Sequence, residues 1–427
     1  MDRKAAFPLL RTLFDTAVAA ASPGQCLAPH LAKLAPPRGR TVVVGAGKAA
    51  AAMARTVEEN WPGKLEGLVV TRERHGLPLS RIECVEARHP VPDERGRAAA
   101  GRILEMVKGL TAEDLVICLI SGGGSALLTW PADGITMDDK QALTRELLRK
   151  SVPIGEINTV RKHISAIKGG RLALAARPAR VATFMISDVP GDDPSVIASG
   201  PTVPDASTFG DALAILRKHG IVPSESIRRH LDDGIAGRIE ETPKPGDPRL
   251  TGCTAVMTMT PLKALEAAAA LARQRGFEPE ILGDRLEGLS RALAAEHASL
   301  IRQHLIDRRP IALISGGETT VEVTGKGRGG RNVEYLLALA LELYELPGVW
   351  SLAADTDGVD GIEEIAGATI GPDTLPRARA AGIDAQARLD DNDGHGFFEA
   401  LGDSVITGPT RTNVNDFRVT LIIPPDH

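Results

Sequence analysis

LVICLISGGGS, Leu115 to Ser125, is an apolar run of strand length that empties into three consecutive glycines. Such a run reads as a strand buried on both faces, the kind that builds parallel sheets. Its Leu119–Gly123 segment, LISGG, returns as Leu313–Gly317, and a third apolar run, Thr41 to Val44, opens into Gly45-Ala46-Gly47-Lys48. Glycine thus follows an expected strand at three separated places. Backbone without a Cβ approaches a ligand closely, and N–H groups at the start of a following helix attract negative charge. A phosphorylated ligand is the first expectation.

Outward from these turns, short β-branched runs alternate with Ala- and Leu-rich segments of helical period, which predicts an α/β fold. The expected strands are Thr41–Val44, Gly67–Thr71, Leu115–Ile120 and Val181–Ile186, and the expected helices are Ala49–Glu59, Gly96–Lys108 and Lys140–Arg149. Between Leu231 and Leu250 the pattern dissolves, and Pro243, Pro245 and Pro248 stiffen the chain and remove ladder donors. Two domains are expected, 1–240 and 250–427, with the boundary in that stretch. The second resumes with strand Thr254–Met259, helices Pro261–Arg275 and Leu289–Ile306, and strands Ile311–Ile314, Val349–Ala353 and Arg418–Ile423. The length of 427 residues suits two cores better than one.

A formal net charge of −5 and the lack of a long basic run leave nucleic-acid binding without an electrostatic footprint. Aromatic residues are only 3% of the chain, so stacking platforms are missing and the core must be aliphatic. Cys26, Cys84, Cys118 and Cys253 form no CxxC or zinc-spaced cluster, which fits a reduced cytoplasm rather than a disulfide or zinc framework. No apolar stretch is long enough to span a bilayer, and the N-terminal segment carries Arg11 and Asp15 where a leader would be unbroken. A cytoplasmic protein without a membrane partner is expected.

Gly45-Ala46-Gly47-Lys48-Ala49-Ala50 satisfies the dinucleotide pattern G-x-G-x-x-A between a strand and a helix. The acid expected at the end of the next strand is replaced by Thr71-Arg72-Glu73-Arg74, which disfavours NAD, although Arg72 or Arg74 could meet a 2′-phosphate; a tight turn with a solvated Lys48 is the competing reading. Ser121-Gly122-Gly123-Gly124-Ser125 reads as an anion cradle, and it lacks the last glycine of a serine-nucleophile elbow. Asn158 and Lys162 lie one helical turn apart on a polar, cationic face, which on its own reads more simply as solvated than as functional. Asp188 and Asp192, after strand Val181–Ile186, stand where α/β ligands sit and could hold Mg²⁺, or simply form a turn. Ser315-Gly316-Gly317-Glu318 is followed by Thr324-Gly325-Lys326-Gly327-Arg328-Gly329-Gly330-Arg331-Asn332, in which glycine alternates with cations ahead of a helix; a phosphate clamp and a flexible basic hairpin are the competing readings. Asp355, Asp357 and Asp360 resemble a calcium loop but lack its downstream glutamate, leaving a catalytic base or second metal site open. No P-loop and no protein-kinase signature occurs.

Taken in order, VVVGAGKAA, LISGGGSALL, INTVRKHIS with KGGRLA, ISDVPGDDPSVIASGPT, LISGGETTVEV, GKGRGGRNVE, TDGVDG and TGPTRTNVND resemble the glycerate 2-kinase family, from about Arg40 to the C-terminus. The resemblance implies an N-terminal Rossmann-like layered α/β domain, and a C-terminal α/β domain containing the MOFRL region at about 308–425. It places the active site in the cleft between them. It implies ATP-dependent phosphorylation of D-glycerate at its 2-hydroxyl, giving 2-phosphoglycerate and ADP, with Mg²⁺. Lys48 and Arg331 match the family's catalytic lysine and arginine, and Asp188 and Asp357 join them as catalytic candidates. Asp188, Asp192 and Asp360 are the expected metal ligands. The nucleotide-binding set is Gly45, Gly47, Ser121, Gly122, Gly123, Gly124, Ser125, Asn158, Lys162, Gly316, Gly317, Glu318 and Asn413. Asp355 stands where related sequences can carry glycine, and Arg328 where they can carry lysine. Relatives have often been labelled hydroxypyruvate reductases, so an NAD(P)H-dependent reductase is the alternative, and an anion-binding sensor without chemistry is a third reading. The partners implied are a small hydroxy acid and a nucleotide; a homodimer is left open.

Overall fold

The computed structural model describes residues 1–307 and 309–424, so Arg308 and Pro425, the expected limits of the MOFRL region, and the chain's end at 427 lie outside the described residues. The chain forms two compact units, Pro23–Thr258 and a second made of Met1–Ser22 with Met259–His427. This division differs from the expected one at both ends. The N-terminal helix Arg3–Ala20 belongs to the second unit, where Phe7 meets Trp350 edge-on with centroids 5.9 Å apart and Phe14 meets Phe417 at 5.8 Å. The proline-bearing stretch is tied down inside the first unit. Pro243 O accepts from Asp205 N–H at 2.8 Å, and Glu241 accepts from Phe209 N–H at 3.0 Å and from His163 Nε2 at 3.1 Å. Prolines that deny ladder bonds here mark an anchored loop, and the following strand closes the first sheet instead of opening the second.

The first sheet contains β1 (Thr41–Ala46), β2 (Glu66–Arg72), β3 (Ile82–Ala87), β4 (Leu115–Ile120), β5 (Arg180–Ile186) and β6 (Cys253–Met259), in the order β3-β2-β1-β4-β5-β6. Pairing from β3 through β5 is parallel. This is the doubly wound Rossmann order, and the order in which strands are added reverses between β1 and β4. Every residue of β1 and β4 is buried, as expected of central parallel strands covered on both faces. A ligand of such a sheet binds beyond the strand carboxyl ends at the reversal point, so the turns after β1 and β4 occupy the favoured place.

The second sheet contains β7 (Glu278–Leu286), β8 (Ile311–Gly317), β9 (Val349–Asp355), β10 (Gly367–Ile370), β11 (Ser404–Val405) and β12 (Asp416–Ile422), in the order β11-β10-β9-β12-β8-β7. It is antiparallel except for the β7–β8 pair. Because β12 runs against β8 and β9, its first residue, Asp416, lies beside their last, Gly317 and Asp355. That register collects one end of three strands next to the helix Arg331–Leu343. All four cysteines are free, and no described helix is long and apolar enough to cross a membrane.

Candidate active site

In the first unit the two glycine turns do opposite things. The turn after β1 is closed by the turn after β4: Lys48 N–H donates to Gly122 O at 2.8 Å, Ala49 N–H to Ser121 Oγ at 3.0 Å, and Gly47 N–H to Val70 O at 3.0 Å. Its glycines are required by packing. A Cβ on Gly45 would lie 2.2 Å from Leu119 O, and one on Gly47 2.2 Å from Ser121 Oγ, with Gly47 at φ +138°. The N–H groups of Gly47, Lys48, Ala49 and Ala50, which lead into the helix Ala50–Asn60, are thus already bonded, which takes these donors from the pyrophosphate that a dinucleotide turn cradles. What the turn presents is the half-buried Lys48 side chain.

The turn after β4 is open. The N–H groups of Gly122 and Gly123 reach no acceptor among the described residues, and Gly123 sits at φ +81°. Ser125 Oγ shares a 2.9 Å hydrogen bond with Ser199 Oγ, which donates to Asn158 Oδ1 at 3.1 Å, so Asn158 is brought to this turn. Lys162 is not. It forms a buried pair with Asp205 at 3.1 Å, against the His163 and Glu241 network.

After β5, Asp188 is half-buried and Asp192 takes φ +55°. Asp192 Oδ1 is buried with no hydrogen-bond partner, the feature expected of an oxygen meant for a cation. No group of three His, Cys, Asp or Glu able to hold a metal occurs among the described residues. Mg²⁺ is commonly held by one or two protein carboxylates together with substrate phosphates, so Asp192, with Asp188, fits that ion.

In the second unit the repeated LISGG is not a turn. Gly316 and Gly317 are ladder residues of β8, and a Cβ on Gly317 would lie 2.2 Å from Leu286 O, so these glycines admit the neighbouring β7. The basic glycine loop is fastened rather than flexible. Asn392 Oδ1 accepts from Thr324 and Gly325 N–H at 2.8 Å each, Asp391 O accepts from Gly327 N–H at 2.8 Å, and Asp393 Oδ1 accepts from Arg328 N–H at 3.0 Å. Lys326 is exposed and Arg328 pairs with Glu399, which leaves Arg331 as the cation of this loop that turns inward.

Arg331 gathers the ends of three strands. Its Nε donates to Asp416 Oδ1 at 2.8 Å, one terminal nitrogen to Glu318 Oε1 at 2.7 Å, and the other to Asp355 Oδ2 at 2.6 Å. Burial works against its charge, but the carboxylates of Asp416, Asp355 and Glu318 outweigh it and hold the guanidinium's pKa above its ordinary value. Asp357 is adjoining and buried, with its N–H on Asp355 Oδ1 at 2.9 Å and its Oδ1 accepting from Val359 N–H at 2.8 Å. The segment holding Asn413 is bound there too, since Thr356 Oγ donates to Asn415 O at 2.7 Å and accepts from Val414 N–H at 2.9 Å.

Asp360 has a different task from the expected metal ligation. It is fully buried, and its two oxygens accept from Asn332 N–H at 3.1 Å and Val333 N–H at 3.0 Å at the start of helix Arg331–Leu343. Burial pushes its carboxyl up against the lowering pull of His395 and these N–H groups. Gly330 is required by the same contact, as its Cβ would fall 2.3 Å from Asp360 Cγ. Asp360→Ala should lower stability by about 1–3 kcal/mol by orphaning buried donors, while Asp360→Asn, with one acceptor oxygen in place of two, recovers only part of it. Urea unfolding checks this; an unchanged Asp360→Ala midpoint would remove the capping role.

Residues 311–416 match the model of the MOFRL family, and residues 9–232 match one described as a domain of unknown function (DUF4147). A D-glycerate 2-kinase from Thermotoga maritima is 40% identical over 390 residues, covering 90% of this chain and 91% of the relative. The chain belongs to the glycerate 2-kinase family. The crystal structure of a glycerate kinase from Thermotoga maritima superposes with a TM-score of 0.88 at 39% identity, covering 97% of this chain and 99% of that one. A relative from Agrobacterium vitis, 50% identical over 421 residues and covering 97% of this chain and 94% of its own, is named a putative hydroxypyruvate reductase. Family membership therefore comes with two activity names, and the site's geometry has to separate them. Sequence reading of this family member passed over Asp416 as a partner of Arg331, although an arginine opening a buried helix calls for acids nearby.

Proposed function

We propose that the protein is a D-glycerate 2-kinase, transferring the terminal phosphoryl group of ATP to the 2-hydroxyl of D-glycerate. The observation that carries this reading is the closed turn after β1, which offers a lysine side chain at the sheet's reversal point in place of open N–H groups. A nicotinamide dinucleotide would need those N–H groups; NAD would also need an acid at the end of β2, where Arg72 stands, so a 2′-phosphate cofactor is the form the titration has to test. The names of the kinase relatives support the same reading, and the reductase name carried by the Agrobacterium vitis relative does not fit this turn.

In the transfer, the bond from the 2-hydroxyl oxygen to the terminal phosphorus forms as the bridging oxygen–phosphorus bond to ADP breaks, and the hydroxyl proton passes to a carboxylate. Positioning and charge neutralisation dominate such a reaction. Lys48 and Arg331 are assigned the neutralising of the transferring group. Gly122 and Gly123 offer N–H groups to phosphate oxygens, and Ser125 with Asn158 holds that turn in shape. Asp357 is assigned the hydroxyl proton. Asp192 and Asp188 would hold Mg²⁺, which when bound neutralises phosphate charge. Arg331 stays cationic through its carboxylates, which also fix where its fork points.

Equilibrium binding separates the two activities before any turnover is measured. Titration calorimetry should give a saturable isotherm for ADP with Mg²⁺ and no heat of binding for NADPH. NADPH binding in the absence of ADP binding would transfer the assignment to the reductase.

A further inference from the structure

Among the described residues, three basic side chains of the first unit, two buried and one half-buried, form no ion pair. Lys140, on helix Met137–Arg149, is 3% exposed and its Nζ has no hydrogen-bond partner. Lys168 is fully buried and its Nζ donates to a backbone carbonyl, Ala198 O, at 3.2 Å. Arg161, on helix Ile154–His163, is half-buried and reaches Asn158 Oδ1 at 3.5 Å. The contrast with nearby Lys162, which has Asp205, and with Arg331, which has three carboxylates, is plain.

Buried charges are ordinarily paired, because desolvation is costly without a counter-charge. Here the mutual effect is repulsive. Burial first, and then Arg161, pushes the Lys140 amine down to about 7; burial, Lys140 and Arg161 push Lys168 well down; and burial brings Arg161 to about 10. An anion placed among them would offset this repulsion and favour their charged forms. The cluster's placement shows which one would matter. Arg161 touches Asn158, which is linked through Ser199 to Ser125 of the open turn. Ala198, the acceptor of Lys168, packs against the same turn, since a Cβ on Gly124 would lie 2.7 Å from Ala198 Cβ.

We propose that Lys140, Arg161 and Lys168 form a binding site for a small oxyanion, and that its occupant is the carboxylate of the hydroxy acid substrate. The choice of occupant rests on the kinase reading; the oxyanion site does not. A monoanionic carboxylate restores balance to the cluster, Arg161 supplies a planar fork that matches it, and the neighbouring turn keeps its N–H groups for phosphate.

Calorimetry with D-glycerate, with inorganic phosphate and with ADP–Mg²⁺ tests this on the wild type, Lys140→Met and Arg161→Gln. Arg161 is half-buried on a helix, so its variant keeps the test alive if Lys140→Met fails to fold, and Lys140→Arg should restore binding. We expect D-glycerate to bind at least tenfold more weakly to both variants while ADP–Mg²⁺ affinity is unchanged. If only phosphate weakens, the carboxylate assignment is wrong. If neither anion weakens, the cluster is structural and the proposal falls. Because these are binding measurements, the result stands apart from whether ATP is turned over, so a failure of the kinase reading shows separately.

Discussion

Arg331→Ala should lower kcat/KM for D-glycerate by about 10²–10³, the typical loss when one preorganised donor to a transition-state charge is removed. The loss should fall on kcat more than on KM, because the interaction grows with the charge on the transferring group. A second effect follows from the carboxylates. Asp355 and Asp416 are 3% and 1% exposed, and both lose the guanidinium that compensates them. Breaking a buried ion pair from one side costs about 3–5 kcal/mol, although the 22% exposure of the Arg331 side chain places the expected loss at the low end. Arg331→Lys separates the two effects. It retains a positive charge, and hence most of the stability, but cannot serve three acceptors with a planar fork, so its kcat should remain depressed. Steady-state kinetics with urea unfolding on both variants checks this. Near wild-type turnover in Arg331→Ala would remove it from catalysis, and turnover restored by lysine would reduce it to a point charge.

Gly47→Ala should be strongly disruptive. The added carbon would sit 2.2 Å from Ser121 Oγ and 2.5 Å from Ser121 O, at a backbone φ of +138° that alanine rarely adopts. Backbone strain of this sort costs about 1–3 kcal/mol and overpacking a similar amount, so a loss of about 4 kcal/mol is expected. Activity should fall with it, since the shift that relieves the clash must move either Lys48 or the open turn. Thermal unfolding and ADP binding measured together test the point. A Gly47→Ala protein of wild-type stability and affinity would show that the close approach of the two turns is dispensable.

The central strands were legible because β1 and β4 are buried on both faces and so read as unbroken apolar runs. β3, with the sequence IECVEA, was missed: it lies at the sheet edge, where Glu83 faces water and bonds Arg102, and its charges resemble those of a loop. β7 was missed for its Pro279 and for the irregular pairing around Gly283. β10 and β11 are too short to show a period. The candidate site was legible as a set of glycine and charge motifs, but the reason for the glycines was not. Gly45, Gly47, Gly317 and Gly330 look like ligand glycines in a sequence, yet each is required by a neighbouring protein atom that only the fold brings close. Arg161 and Lys168 stand in the quoted segments INTVRKHIS and KGGRLA, but their association with Lys140 was not legible, for the converse reason. Their significance lies in the lack of an acid around them, and a linear sequence does not show which acids are near.

Phosphorylation of D-glycerate by this chain is open to direct assay. The most direct measurement incubates the purified protein with D-glycerate, ATP and Mg²⁺, and in parallel with hydroxypyruvate and NADPH, following ADP formation and cofactor oxidation and identifying the product by NMR. ADP appearing with 2-phosphoglycerate, and no NADPH oxidation, is the expected result. NADPH oxidised without ADP, or no turnover of either substrate by protein that binds them, would contradict it.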